Sequence, residues 1–378
     1  MANGERPGAA GQPAAGPGPR RRWEGLLLAA VVLGSAAVRL PLCLEPPVNT
    51  GDVVRHLLYG VIVGERGLPW AGVPLAQIDP AYAVASWAWL PYNYPVLALF
   101  FFVGVAAVWP SIFAVKLALT VVEAANAVLV ARLSGSRWLG AVYWLYPSSI
   151  WWVSREGQFE PLQSLPALAA LAVLPRSPIL AAVLVGLAVQ TKVTAALLLP
   201  LVLAYAARGG RRRGLEAAAA FGASFLPTLV SLAFYPAVEQ LLRHSAPLRY
   251  NPYHWNLLDP SIFSWNPPWL VGADAAASWA LVLVLAVAAA RARGGRIAYL
   301  APLAFAIGLK LHLNVQFWYW LTMPVFLLPL PDRRLRNALL VALPLVDVYS
   351  AAQLARGPFG YVTGKYFGPP AAVATPAP

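Results

Sequence analysis

Eleven apolar runs dominate the chain, at about residues 25–43, 94–109, 112–133, 138–153, 159–174, 178–206, 215–235, 275–290, 297–311, 316–330 and 335–352, with most charge confined between them. About 20 apolar residues in a helix cross the hydrocarbon core of a bilayer. Helices also satisfy their own backbone hydrogen bonds where no water is present to do so. Only 11% of the residues are charged, against about 25% in a soluble domain, which excludes a water-soluble globule of this size. The 36 prolines and 29 glycines are tolerated in membranes because neighbouring helices re-satisfy freed backbone groups, and they predict short and broken helices. The expected fold class is an all-α polytopic membrane protein, a bundle of about 10–11 transmembrane helices. Short amphipathic helices are expected in its first outer loop.

The 28 basic residues outnumber the 15 acidic ones, for a net charge of +13. They cluster at Arg20–Arg22, Arg176, Arg208 with Arg211–Arg213, Arg291–Arg296 and Arg333–Arg336, where cytoplasmic anchors belong, so topology explains them and nucleic acid is not needed. Residues 1–23 read as a disordered cytoplasmic tail, 24–355 as one transmembrane domain with outer loops at about 45–93 and 236–274, and 356–378 as a C-terminal tail. A secretory signal has a similar start, but the apolar run continues past the small residues at Gly34–Ala37 and reads as a first span. One conflict of parity stands. Arg132 and Arg137 belong inside, yet two full crossings at 94–133 return them outside, so either one run does not cross or this pair breaks the rule. The single cysteine, Cys43, excludes an internal disulfide, and the four histidines lie far apart without metal-ligand spacing.

Ionisable groups at membrane depth cost about 2.5–3.5 kcal/mol on insertion scales, so each needs a partner or a task. Asp52 opens a stretch whose apolar residues Val53, Leu57, Tyr59, Gly60 and Val63 suggest an amphipathic helix on the membrane surface. It can serve the helix dipole or act as a general base at a membrane-facing cleft. Arg155, Glu156, Gln158 and Glu160 form a patch around Gly157; an interfacial ion pair explains the charges, and a close approach by a ligand or helix explains the glycine better. Lys192 interrupts the 178–206 run with Gln190 and Thr191, splitting it into two short helices, and suits a phosphate counterion. Lys310 and His312 either snorkel or donate to the same anion. Lys116 and Glu123, seven apart on one helical face, read as a packing contact. The 236–274 loop, with His254 and Trp255, reads as an aromatic interface belt or an acceptor-binding surface.

The order of these features resembles the polyprenyl-phosphate-sugar-dependent integral membrane glycosyltransferases of the GT-C fold. The matching residues are Gly51-Asp52-Val53-Val54-Arg55 after the first span and Leu90-Pro91-Tyr92-Asn93-Tyr94-Pro95 closing the first loop. They continue with Tyr146-Pro147-Ser148-Ser149, Arg155-Glu156-Gly157-Gln158-Phe159-Glu160, Thr191-Lys192, and Lys310-Leu311-His312 running into Gln316–Trp320. The resemblance implies a GT-C-like bundle at the cell membrane that transfers mannose or another hexose, with inversion, on the extracytoplasmic face. It implies Asp52 as the catalytic base and Arg155, Lys192, Lys310 and His312 as donor-phosphate contacts. Arg55, Gln158, Glu160, His254 and Trp255 would contact substrate. The implied partners are a polyprenyl-phosphate sugar donor, a lipid-linked glycan or protein acceptor, and the bilayer. No cofactor is implied; a divalent metal lacks support because Asp52 has no acidic neighbour in sequence, Glu45 being seven residues away. The turn also ends in Glu160 where these families often carry Asp.

Two other functions use similar groups. A transporter or lipid flippase needs intramembrane charge and interrupted spans, but in corresponding positions of two halves, and only the Gln190–Lys192 interruption stands out. A non-catalytic membrane subunit would use polar patches as helix glue.

Overall fold

The computed structural model describes residues 19–47, 52–85, 88–235, 268–291, 300–304, 326–338 and 340–341. Among them every regular element is helical. Three helical stretches are long and apolar enough to cross a membrane: Trp23–Leu44, Ile112–Ser134 and Arg211–Ser231. The first lies in α1 (Pro19–Leu44), which leaves Leu26, Leu33 and Val38 exposed. The second is α5 (Ile112–Ser134), exposing Val121 and Val128. The third joins α11 (Arg211–Ser224) to α12 (Leu226–Ser231), exposing Leu229 and Val230. Apolar surface on this scale requires apolar surroundings, and the chain is a helical membrane protein.

The remaining runs are shorter and more broken, as the prolines predict. After α3 (Leu75–Ile78), the 94–109 run becomes α4 (Val96–Val108), whose 13 residues rise only ~20 Å against a hydrocarbon core of about 30 Å. It is the run before Arg132 whose length falls short of a crossing. The 138–153 run is not one helix. It divides into α6 (Arg137–Trp144), α7 (Pro147–Ser149) and a π-helical turn, Ile150–Arg155, because Pro147 lacks the N–H that would continue α6. The chain goes on through α8 (Glu160–Val173) to α9 (Pro178–Val189). The 178–206 run then breaks as expected. Lys192 is extended (φ −156°) between α9 and a 3₁₀ segment, Val193–Leu198, which leads into α10 (Leu199–Ala207). At the end of α9 the Ala188 carbonyl oxygen accepts from the Thr191 and Lys192 backbone N–H groups at 3.1 and 3.0 Å and from Thr191 Oγ1 at 2.7 Å. Of the last three apolar runs only 300–304, 326–330, 335–338 and 340–341 are described.

The main departure from expectation concerns α2 (Asp52–Arg66). It does not lie on the outside of the molecule. Val53 and Leu57 join the main core with Phe102, Leu119 and Phe159, while Tyr59, Ile62 and Val63 join a second core with Leu75, Tyr92 and Leu99. Even Arg55 and His56 are buried. Two glycines permit this. A Cβ on Gly60 would meet the Phe102 carbonyl oxygen of α4 at 2.6 Å. Gly157 has φ +73°, and its Cβ would meet Val53 Cγ2 at 2.8 Å. The close approach expected at Gly157 is therefore made by α2.

Gly157→Ala combines left-handed backbone strain, about 1–2 kcal/mol, with overpacking of about 1–3 kcal/mol. It is expected to lower the thermal midpoint of the detergent-solubilised protein markedly. Gly104→Ala, at an exposed α4 position where a Cβ would meet nothing within 4 Å, is expected to leave the midpoint unchanged or raise it.

Candidate functional site

Asp52 sits in the first turn of α2, half-buried. Gln158 hydrogen-bonds its carboxylate, and the charges of Arg55, Glu160 and Lys192 all act on it. Three separate sequence segments, α2, the 158–160 stretch and the break at Lys192, thus meet at one carboxyl group. Burial is the largest influence and raises its pKa above the ordinary 3.8; the Glu160 charge adds to this, while Arg55, Lys192 and the Gln158 hydrogen bond oppose it.

The cations are positioned by different means. Arg55 Nη2 donates to the Pro91 carbonyl oxygen at 2.8 Å and to Asn93 Oδ1 at 2.9 Å. The Tyr-Pro-rich segment therefore holds a residue three positions from Asp52 in α2. Lys192, presented by the break after α9, reaches Glu160 Oε1 at 2.5 Å at the start of α8. Its ammonium also lies 5.4 Å from the centre of the Phe159 ring. Both members of this ion pair are buried, and at such depth each charge depends on the other.

Glu160 changes one point of the sequence analysis. Asp52 lacks an acidic neighbour along the chain, but the fold brings Glu160 close enough to act on it. Among the described residues no group of three or more His, Cys, Asp or Glu side chains gathers to hold a metal ion.

Arg155 is drawn elsewhere. It pairs with Glu45, lies 3.8 Å from Glu156 Oε1, and stacks over the Trp151 ring at 4.8 Å. Lys116 Nζ donates to the Glu45 carbonyl oxygen at 2.6 Å, so Arg155, Glu156, Glu45 and Lys116 form a second polar group. Lys116 and Glu123 do not pair with each other, since Glu123 accepts from Ser149 and from Asn126. Lys310, His312, His254 and Trp255 lie outside the described residues.

Compared with protein-family models, curated proteins and solved structures, the chain matches none.

Two features escaped the sequence analysis. His56 is enclosed by aromatic rings: stacked on Phe102 at 4.8 Å, and edge-on to Phe159, Tyr94 and Tyr92 at 4.9, 5.2 and 5.6 Å. Burial, reinforced by the charges of Arg55 and Lys192, holds its pKa well below the usual 6.5 and keeps the ring neutral. The available signal was its place four residues after Asp52, on the same helical face.

The second feature is Arg39, fully buried in α1. It donates to the Trp144 carbonyl oxygen at 2.7 Å, to Ser149 Oγ at 2.9 Å and to Ser154 Oγ at 3.0 Å. Ser149 passes the interaction on by donating to Glu123. A lone arginine within an apolar run, between Val38 and Leu40, was signal enough.

Proposed function

We propose that the chain is an integral membrane glycosyltransferase of GT-C-like architecture, with about 10–11 membrane helices and its active site on the extracytoplasmic face of the cell membrane. It moves a hexose, such as mannose, from a polyprenyl-phosphate donor to a hydroxyl of a lipid-linked or protein-linked acceptor. The single observation that carries this proposal is the convergence of Asp52 with Arg55, Gln158, Glu160 and Lys192.

The chemistry needs a base and a place for the departing negative charge. Asp52 removes the acceptor proton, and its burial-raised pKa makes it a stronger base than an exposed aspartate. Lys192 and Arg55 stabilise the phosphate that leaves. Direct attack from the opposite face of the sugar inverts the anomeric centre, so one carboxylate suffices and no covalent intermediate forms. The lipid tail remains in the bilayer, beside the exposed apolar helix faces.

Membranes containing the protein, supplied with labelled polyprenyl-phosphate mannose or glucose, are expected to yield labelled acceptor. The rate should fall as pH drops, along an acid limb centred above the ordinary 3.8 of an aspartate, because the protonated carboxyl cannot act as base. Solute uptake into vesicles with no transfer product would favour a transporter instead.

A further inference from the structure

Besides Arg55 Nε, four buried polar atoms on three residues beside the site have no hydrogen-bond partner among the described residues: both ring nitrogens of His56, the Tyr92 hydroxyl, and Glu160 Oε2. The three residues are 1%, 0% and 1% exposed. The His56 ring lies 5.6 Å from Tyr92 and 4.9 Å from the Phe159 ring, and over that Phe159 ring, at 5.4 Å, stands the Lys192 ammonium that Glu160 holds through its other oxygen. An unpaired buried polar group costs about 1–3 kcal/mol. Phenylalanine at positions 56 and 92 would make the same ring contacts without that cost, so packing alone does not account for the imidazole or the phenol.

Their chemistry indicates what completes them. A neutral imidazole offers one donor and one acceptor, a phenol offers both, and the carboxylate oxygen accepts. An anion would meet Arg55 and Lys192 instead. Neutral donors and acceptors among aromatic rings suit adjacent hydroxyl groups on an apolar carbon ring. His56 also stands four residues, ~6 Å, along α2 from Asp52. We propose that His56 and Tyr92, together with the free oxygen of Glu160, form the subsite that reads the hydroxyls of the transferred sugar. The proposal rests on the glycosyltransferase reading and adds to it the residues that set sugar specificity.

The test uses the full chain in detergent, with bare polyprenyl phosphate, polyprenyl-phosphate mannose and polyprenyl-phosphate glucose as probes in thermal-shift titrations. In the wild type, one sugar-bearing lipid is expected to bind more tightly than the bare lipid. In His56→Phe and Tyr92→Phe this sugar-dependent gain should weaken about tenfold each, the effect of one neutral hydrogen bond. Binding of the bare lipid should persist. Without ligand, both variants should be at least as stable as the wild type, because each loses an unpaired polar group. If the sugar-dependent gain survives in both variants, or if both are clearly less stable without ligand, the subsite is overturned and the glycosyltransferase reading stands. If the wild type binds neither bare nor sugar-bearing lipid, that reading falls and the subsite falls with it.

Discussion

Replacing Asp52 with asparagine is expected to slow sugar transfer by about 10²–10⁴-fold, the usual contribution of a general base, while leaving the protein folded. Asparagine preserves the size of the side chain and an acceptor for Gln158, but it takes no proton at accessible pH. The acid limb of the pH–rate profile should vanish with it, since burial raises the pKa of that same carboxyl. Steady-state rates with labelled donor, paired with thermal shifts by bare polyprenyl phosphate, separate loss of chemistry from loss of binding. A full rate in Asp52→Asn would remove Asp52 from the mechanism. Glu160→Gln should behave differently. It frees Lys192 from its ion pair, so its effects should appear in stability and donor affinity before they appear in the pH profile.

Arg39→Met is expected to be the most destabilising single change in the described structure. Removing one member of a buried charge network costs about 3–5 kcal/mol, because the remaining charge is stranded. Arg39 bridges α1 to the Trp144 and Ser149 carbonyls and, through the Ser149 hydroxyl, to Glu123 of α5. Its guanidinium also lies 4.1 Å from the centre of the Trp144 ring. The thermal midpoint of Arg39→Met should fall sharply, and Glu123→Gln added to it should recover part of the loss by removing the stranded carboxylate. Failure of the second change to recover anything would mean that the arginine acts through packing and its carbonyl contacts alone. The network supports the π-helical turn Ile150–Arg155, directly before Glu156, Gly157 and Gln158, so the damage should extend to the Gly157 turn.

Much of the layout was legible from the chain alone. Apolar runs of near-membrane length marked the helices, because hydropathy is additive along a segment and needs no partner. Gln190–Lys192 announced a break, since three polar residues cannot continue an apolar span without a reason. Gly157 announced a close approach, though not by which element. Asp52 and Lys192 stood out because charge is rare here, and only 11% of residues carry any.

The identity of neighbours was not legible, and it decided how those residues act. Nothing in sequence couples Glu160 to Lys192, 32 positions apart, or assigns Arg155 to Glu45 rather than to the Asp52 group. The amphipathic pattern of α2 implied one apolar face resting on a membrane surface. The structure buries α2 between two cores, because Gly60 and Gly157 let α4 and the Gly157 turn close on it. That burial raises the pKa of Asp52 and keeps His56 neutral. The sequence by itself determined that this is a helical membrane protein with a few intramembrane charges, since composition and periodicity are local properties. Which charges meet, and what their pKa values become, was decided only by the tertiary structure, because desolvation and Coulomb interactions depend on distances between segments remote along the chain.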